Sequence, residues 1–287
     1  MNNLKTLFLM VLMAALMIFI GGLVGGRSGM MIMLIISLAM NAYTYWCSDS
    51  LVLRSTGAQE VTREEAPQLY ALVERLAERA GLPMPRVCII DTDVPNAFAT
   101  GRDPSHAAVA VTTGIMRVLD YDELSGVLAH ELSHVKKRDI LTSTVVAMMA
   151  TVIGYVAQFF AFFGGGSSDD ESSSGNILVS LAVIILAPLA ALLIQMAISR
   201  SREYEADKDG GEICGNPNYL AAALEKIDYY ATHAAPMPEA QPATAHMYIV
   251  NPFEGTGKVI TKLFSTHPDT ADRIARLHEQ AREMRVR

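Results

Sequence analysis

The sequence predicts an α-helical membrane protein with an α+β domain at its cytoplasmic face, and three observations predict it. Hydrophobic residues make up 51% of the 287 positions and charged residues only 18%, where ordinary soluble domains carry roughly 25% charged residues. Four stretches, 6–26, 28–48, 140–168 and 172–199, contain no Asp, Glu, Lys or Arg, and each is long enough to cross a hydrocarbon core of roughly 30 Å. The polar remainder falls into two segments, 49–139 and 200–287, which hold every charge except Lys5, Arg27, Asp169, Asp170 and Glu171.

Residues 1–48 read as a hairpin of two spans, turning at Gly25-Gly26-Arg27-Ser28-Gly29. The first apolar run is too long for the h-region of a cleaved signal, and no A-x-A site precedes Arg27. The pairs Gly21/Gly25 and Gly22/Gly26 fit either small-residue packing between helices or a loosened helix end. Residues 140–199 read as a second hairpin, its Gly/Ser-rich loop carrying Asp169-Asp170-Glu171 and its second arm kinked at Pro188. Lys5, Lys136-Lys137-Arg138, Arg200 and Arg202 flank the spans on one side. The excess of basic residues marks that side as cytoplasmic and the acidic loop as outer, with Arg27 as a single exception. Both termini and both polar segments are then expected at the cytoplasmic face of the cell membrane. Each segment has about 90 residues, small for a core of its own, so the two are expected to pack as one domain.

Within 49–139, apolar residues at Leu69, Leu72, Val73, Leu76, Ala77 and Ala80 give a helical period over 64–80. Gly81 and Pro83 end it. Residues 86–91 and 107–113 read as short strands. Asp120 starts a further helix as its N-cap, with Glu123 at the capping-box position. Leu124, Val127, Leu128, Leu132 and Val135 form its apolar stripe.

That helix carries His130-Glu131-Leu132-Ser133-His134, an H-E-x-x-H motif. Residues four apart lie above one another on a helix face, so both imidazoles can reach one zinc ion. Glu131 sits beside them, placed to take a proton from an attacking water. The motif makes the α+β part a zinc-metalloprotease domain of the zincin-like type, binding one Zn2+ per chain. A catalytic zinc needs a third protein ligand, and Arg202-Glu203-Tyr204-Glu205-Ala206-Asp207-Lys208-Asp209 offers one. On a helix, Glu203 with Asp207 or Glu205 with Asp209 could supply a ligand and a carboxylate behind a ligand histidine. Spacing alone does not choose between them.

The order of these parts, two spans, His130–His134, two more spans, then Glu203 and Asp207, resembles the HtpX family of membrane-bound zinc proteases of bacteria and archaea. The CAAX prenyl proteases of the Ste24 type are a more distant likeness. The resemblance runs along nearly the whole chain. It includes Asn96-Ala97-Phe98-Ala99-Thr100-Gly101, Val111-Thr112-Thr113-Gly114 and Ser265-Thr266-His267-Pro268. It implies Glu203 as the zinc ligand and Asp207 as the partner of a ligand histidine. It also supports His267, otherwise a plain turn residue before a proline, as a donor to the oxyanion formed in catalysis. Asn96, Ala97, Phe98 and Ala99, with the strand at 107–112, are candidates for a rim on which an extended substrate adds as a strand; ordinary sheet structure is the alternative. The substrates implied are misfolded or damaged proteins, membrane proteins among them, in a stress-related quality-control role.

Rival classes fare less well. A net charge of −7 gives no basic footprint for nucleic acid. Cys47, Cys88 and Cys214 are odd in number and widely spaced, which suits a reducing compartment. A transporter would carry ionisable residues in its spans, and these have none. Asp120, Asp122, Glu123 and Lys136-Lys137-Arg138 bracket the motif and keep it out of the bilayer core. A CAAX-type enzyme would enclose its site with more than four spans. A non-catalytic membrane scaffold would be favoured by failure to bind zinc.

Overall fold

The computed structural model describes residues 2–142, 145–146, 149, 200–233 and 268–286. The expected span 172–199, most of 140–168, and His267 lie outside them. Helix α1 (Asn2–Trp46) is two arms joined at Gly25 and Gly26, whose backbone angles leave the helical region. Gly26 has φ 56° and ψ −140°, a conformation that a side chain would strain. The arms fold back on each other. A Cβ on Gly21 would come within 2.5 Å of the Gly29 carbonyl oxygen, and Asn41 Nδ2 donates to the Met10 carbonyl at 3.2 Å. Small-residue packing therefore applies at Gly21, whereas a Cβ on Gly25 would meet open space.

The arm Gly25–Trp46, 22 residues, is long and apolar enough to cross a membrane; Thr6–Gly22 is apolar but shorter. Among the described residues, every large exposed hydrophobic side chain except Tyr121 and Tyr229 lies on α1. So much exposed apolar surface on one hairpin calls for a non-aqueous neighbour. Its buried stripe (Thr6, Leu9, Met13, Met17) includes a hydrogen bond between the Thr6 and Thr142 hydroxyls at 2.9 Å. The start of the 140–168 stretch is thereby tied to the first arm.

After α2 (Ser48–Ser55) comes a four-stranded sheet built from β1 (Gln59–Glu60), β2 (Arg86–Ile90), β3 (Ala97–Gly101) and β4 (Ala107–Thr112). The strand order is β1-β2-β4-β3, with β2 and β4 parallel and the outer pairs antiparallel. Alternation sends Val87, Ala97, Val109 and Val111 to one face, and Cys88, Phe98, Ala108 and Ala110 to the other. The second face is covered by Val52 and Leu53 of α2. The first packs on helices α3 (Pro67–Ala80) and α5 (Tyr121–Lys137), with short α4 (Thr113–Val118) between β4 and α5. Helix α3 begins at Pro67 rather than at 64, because proline at the first helical position holds the preceding Ala66 outside the helical region, at φ −136°.

Three more helices, α6 (Arg200–Cys214), α7 (Pro217–His233) and α8 (Thr270–Val286), complete the domain. Leu72, Leu76, Leu128, Leu132, Leu220, Leu224 and Leu277 are fully buried, each contributing about 1.5–3 kcal/mol of transfer free energy. They place residues of both polar segments in one core, as their lengths required.

Candidate metal centre

Helix α5 starts where its sequence says. The Asp120 carboxylate accepts the Glu123 N–H at 2.9 Å, and Glu123 returns the bond to the Asp120 N–H at 2.9 Å. Lys226 of α7 closes on Glu123 at 2.6 Å. The buried stripe fixes the helix's rotation, which turns His130 and His134 towards α6. The two helices meet backbone to backbone: a Cβ on Gly210 would lie 2.9 Å from the His130 nitrogen. Only a glycine fits that crossing, and it sets one α6 register against the histidines. Glu203 and Asp207 face inward, 8% and 3% exposed. Glu205 and Asp209 face outward and pair with Lys137 at 3.1 and 3.0 Å. Tertiary packing thus brings Glu203 and Asp207, and not Glu205 and Asp209, to the histidines.

The Nε2 atoms of His130 and His134 are 3.3 Å apart, and they lie 3.6 and 3.7 Å from the Glu203 carboxylate oxygens. Ligand atoms around tetrahedral zinc, with bonds of about 2.0–2.2 Å, stand roughly 3.3–3.6 Å from one another. Each imidazole nitrogen faces a different oxygen of the one carboxylate, and one ligand atom from each of the three residues lies within 4.8 Å of the others, a donor set that fits zinc with a fourth position left for water or substrate.

Carboxylates stand behind both rings. His130 Nδ1 is 3.0 Å from Asp207 Oδ1, at an angle outside that of a formed hydrogen bond. Asp207 is in turn gripped by Arg273 of α8, Nε to Oδ2 at 2.8 Å and Nη2 to Oδ1 at 2.6 Å. Arg273 is 2% exposed, and the pair anchors the last helix. Asp269 caps that helix by accepting the Ala271 N–H at 2.9 Å, while Arg276 stacks over the Tyr204 ring at 3.9 Å.

Behind the other ring, His134 Nδ1 bonds Asp139 Oδ2 at 3.3 Å. The sequence reading missed Asp139. It reaches the site only because Arg138 ends α5 in the left-handed region at φ 58°, the one non-glycine positive φ among the described residues. That conformation costs about 1–2 kcal/mol and turns the chain back, so that the Asp139 N–H bonds the His134 carbonyl at 3.3 Å. A carboxylate that orients a ligand imidazole is typically worth 10–100-fold in metal affinity. Asp139→Ala is therefore expected to weaken zinc binding by about that factor, read by competition with a chromogenic chelator.

Electrostatics match a cation site. Burial alone would lower the His130 pKa, but Asp207 and Glu203 raise it to about 10. His134 is likewise raised, Asp139 and Glu203 overcoming burial. Burial would raise Asp207, yet Arg273 and His130 hold it down at about 2. The carboxylates thus favour positive charge on the rings, a role a metal dication fills without protons. Burial raises the Glu131 pKa, moderated by the two histidines and by the Ala99 N–H, which donates to its Oε2 at 3.0 Å. A carboxylate shifted towards neutrality is suited to taking up and returning a proton.

Of the proposed rim, Ala97, Phe98 and Ala99 lie on β3 and Asn96 immediately before it. Phe98 points to the α2 side of the sheet. The Asn96 N–H bonds Thr112 Oγ1 at 2.9 Å. Ala99 directly holds Glu131, a use of its N–H that the sequence did not suggest. His106 pairs with Asp103 and His278 with Asn218, each at 2.8 Å.

The sequence model of peptidase family M48 matches residues 63–281, a span that contains the entire cluster. The chain belongs to peptidase family M48. This M48 chain is 56% identical over 281 residues to a protein named protease HtpX homolog from Salinibacter ruber, covering 98% of this chain and 99% of that protein. A protein of the same name from Thermodesulfovibrio yellowstonii is 55% identical over 284 residues, covering 98% and 99%. The crystal structure of S. mikatae Ste24p shares the fold, with a TM-score of 0.50 and 20% identity over 94% of this chain and 62% of that one. As an M48 peptidase the chain is a membrane-bound metalloprotease, a zinc-dependent hydrolase of peptide bonds.

Proposed function

We propose that this peptidase is a four-span enzyme of the cell membrane that cuts misfolded or damaged proteins at the cytoplasmic face, as part of the response to protein-damaging stress. The observation that carries the reading is the convergence of His130, His134 and Glu203 with the buried carboxylate of Glu131 beside them. His130, His134 and Glu203 would hold zinc, which would supply Lewis-acid polarisation of the scissile carbonyl. Glu131, oriented by the Ala99 N–H, takes the proton from the attacking water and delivers it to the leaving amine. Asp139 holds His134 by a hydrogen bond to Nδ1, and Asp207 stands 3.0 Å behind His130 Nδ1, so that both rings present Nε2. His267 is the candidate donor to the oxyanion. The β3 edge (Ala97–Gly101), with Asn96 before it, receives substrate as an added strand.

The apolar surface of α1 supports a lipid neighbour, and the run of basic residues at Lys136-Lys137-Arg138 supports the cytoplasmic side. The test is metal removal. Dialysis of the full chain in detergent against a strong chelator is expected to stop cleavage of unfolded casein, and one equivalent of zinc to restore it. Full activity in the zinc-free protein would overturn the reading.

A further inference from the structure

The strand beside the catalytic carboxylate is fastened to the end of the membrane helix. Among the described residues, strand β3 pairs with β4 alone and forms an edge of the sheet. Asn96 faces β4, its carbonyl accepting the Thr112 N–H at 2.9 Å and its own N–H donating to Thr112 Oγ1 at 2.9 Å, and the Ala99 N–H points the other way, to Glu131 at 3.0 Å. Alternation therefore puts the main-chain groups of Ala97 and Ala99 on the side away from β4, where a substrate strand would pair. Immediately past Gly101, Arg102 Nη1 donates to the carbonyl of Trp46 at 3.2 Å. Trp46 ends the 22-residue apolar arm, and Tyr43, Tyr45 and Trp46 are exposed there at 53%, 38% and 62%. Such aromatic residues at the end of a span sit at the headgroup level.

Two further contacts prevent the sheet from swinging away. Helix α2, which follows Trp46 after Cys47, packs Val52 and Leu53 on Phe98, Ala108 and Ala110, and Asp49 pairs with Arg86 of β2. From Ala99 to Arg102 is three positions, about 10 Å at roughly 3.3 Å per residue. A peptide laid along β3 with its scissile bond at the level of Glu131 thus reaches the membrane surface within a few residues.

We infer that the enzyme cuts membrane-anchored polypeptides in the extended stub next to the bilayer, within about six residues of a span. The inference rests on the proteolytic reading above and specifies where on a substrate it acts. A stub emerging from the same bilayer arrives beside β3 already confined to the right depth, which raises its effective concentration over a free chain.

The test uses the full chain co-reconstituted in vesicles with a single-span helix bearing a repetitive unstructured stub of roughly thirty residues. Cut positions are mapped by mass spectrometry, and casein is offered to the same preparation. Cuts clustered within about six residues of the span are expected. Arg102→Ala is expected to spread them outward while leaving the rate on casein unchanged. Casein cleavage with cuts spread evenly along the stub, or confined to its far end, would overturn the inference and leave the protease reading standing. Loss of both cleavages in zinc-loaded enzyme would overturn the protease reading and this inference with it.

Discussion

Glu131→Gln is expected to lower the rate of peptide cleavage by at least about 100-fold while leaving bound zinc and fold intact, since general acid–base catalysis contributes about 10²–10⁴. The change is nearly isosteric. Its amide oxygen can still accept the Ala99 N–H that Oε2 accepts at 3.0 Å, so the side chain has no reason to move. Glu131 is 9% exposed, and a neutral amide is less costly to bury than a carboxylate. What is lost is the capacity to accept a proton and return it. The check pairs initial rates on unfolded casein with zinc content per chain. A variant retaining most of its rate would remove Glu131 from the chemistry, and one lacking zinc would show that it has a structural part in the site.

Arg273→Leu is expected to be the most destabilising of the substitutions considered. Arg273 and Asp207 are 2% and 3% exposed and joined by two charged hydrogen bonds of 2.8 and 2.6 Å. Deleting one partner of a buried pair leaves an uncompensated charge and costs about 3–5 kcal/mol, a large share of a typical total stability of about 5–15 kcal/mol. Replacing both residues with leucine removes the stranded charge and is expected to recover much of that loss. Zinc affinity separates stability from function. Without Asp207 the His130 ring loses the carboxylate 3.0 Å behind it, so the double variant is expected to be stable yet about 10–100-fold weaker for zinc. Chemical unfolding in detergent and a chelator competition measure the two effects independently. Wild-type zinc affinity in the double variant would show that Asp207 serves only Arg273.

How much of this was legible in the sequence depends on how local each determinant is. The capping box at Asp120 and Glu123, the apolar stripe of α5 and the i, i+4 histidines depend on one helix alone, and all are found where the sequence puts them. The turn of the first hairpin was equally local, set by Gly25 and Gly26. The choice of Glu203 over Glu205 was not, because both have a carboxylate four residues on. It is decided by the Gly210 crossing against His130, a contact between segments 80 residues apart. Asp139 was hidden for a different reason: helical periodicity stops at Lys137, and the residue is returned to the site by one left-handed step at Arg138. Strand β3 carries Ala97, Ala99 and Gly101 in place of the branched residues that signal strands; its conformation comes from pairing with β4 and from the Glu131 contact. The expected spans in 140–199 and the role of His267 lie outside the described residues.

The central claim is that His130, His134 and Glu203 hold a single zinc ion that the reaction requires. Zinc content per chain, measured on the purified full chain and on Glu203→Ala and Glu205→Ala, tests it most directly. The expected result is one zinc in the wild type and in Glu205→Ala, and a large loss in Glu203→Ala. Zinc kept by Glu203→Ala and lost by Glu205→Ala would contradict the account.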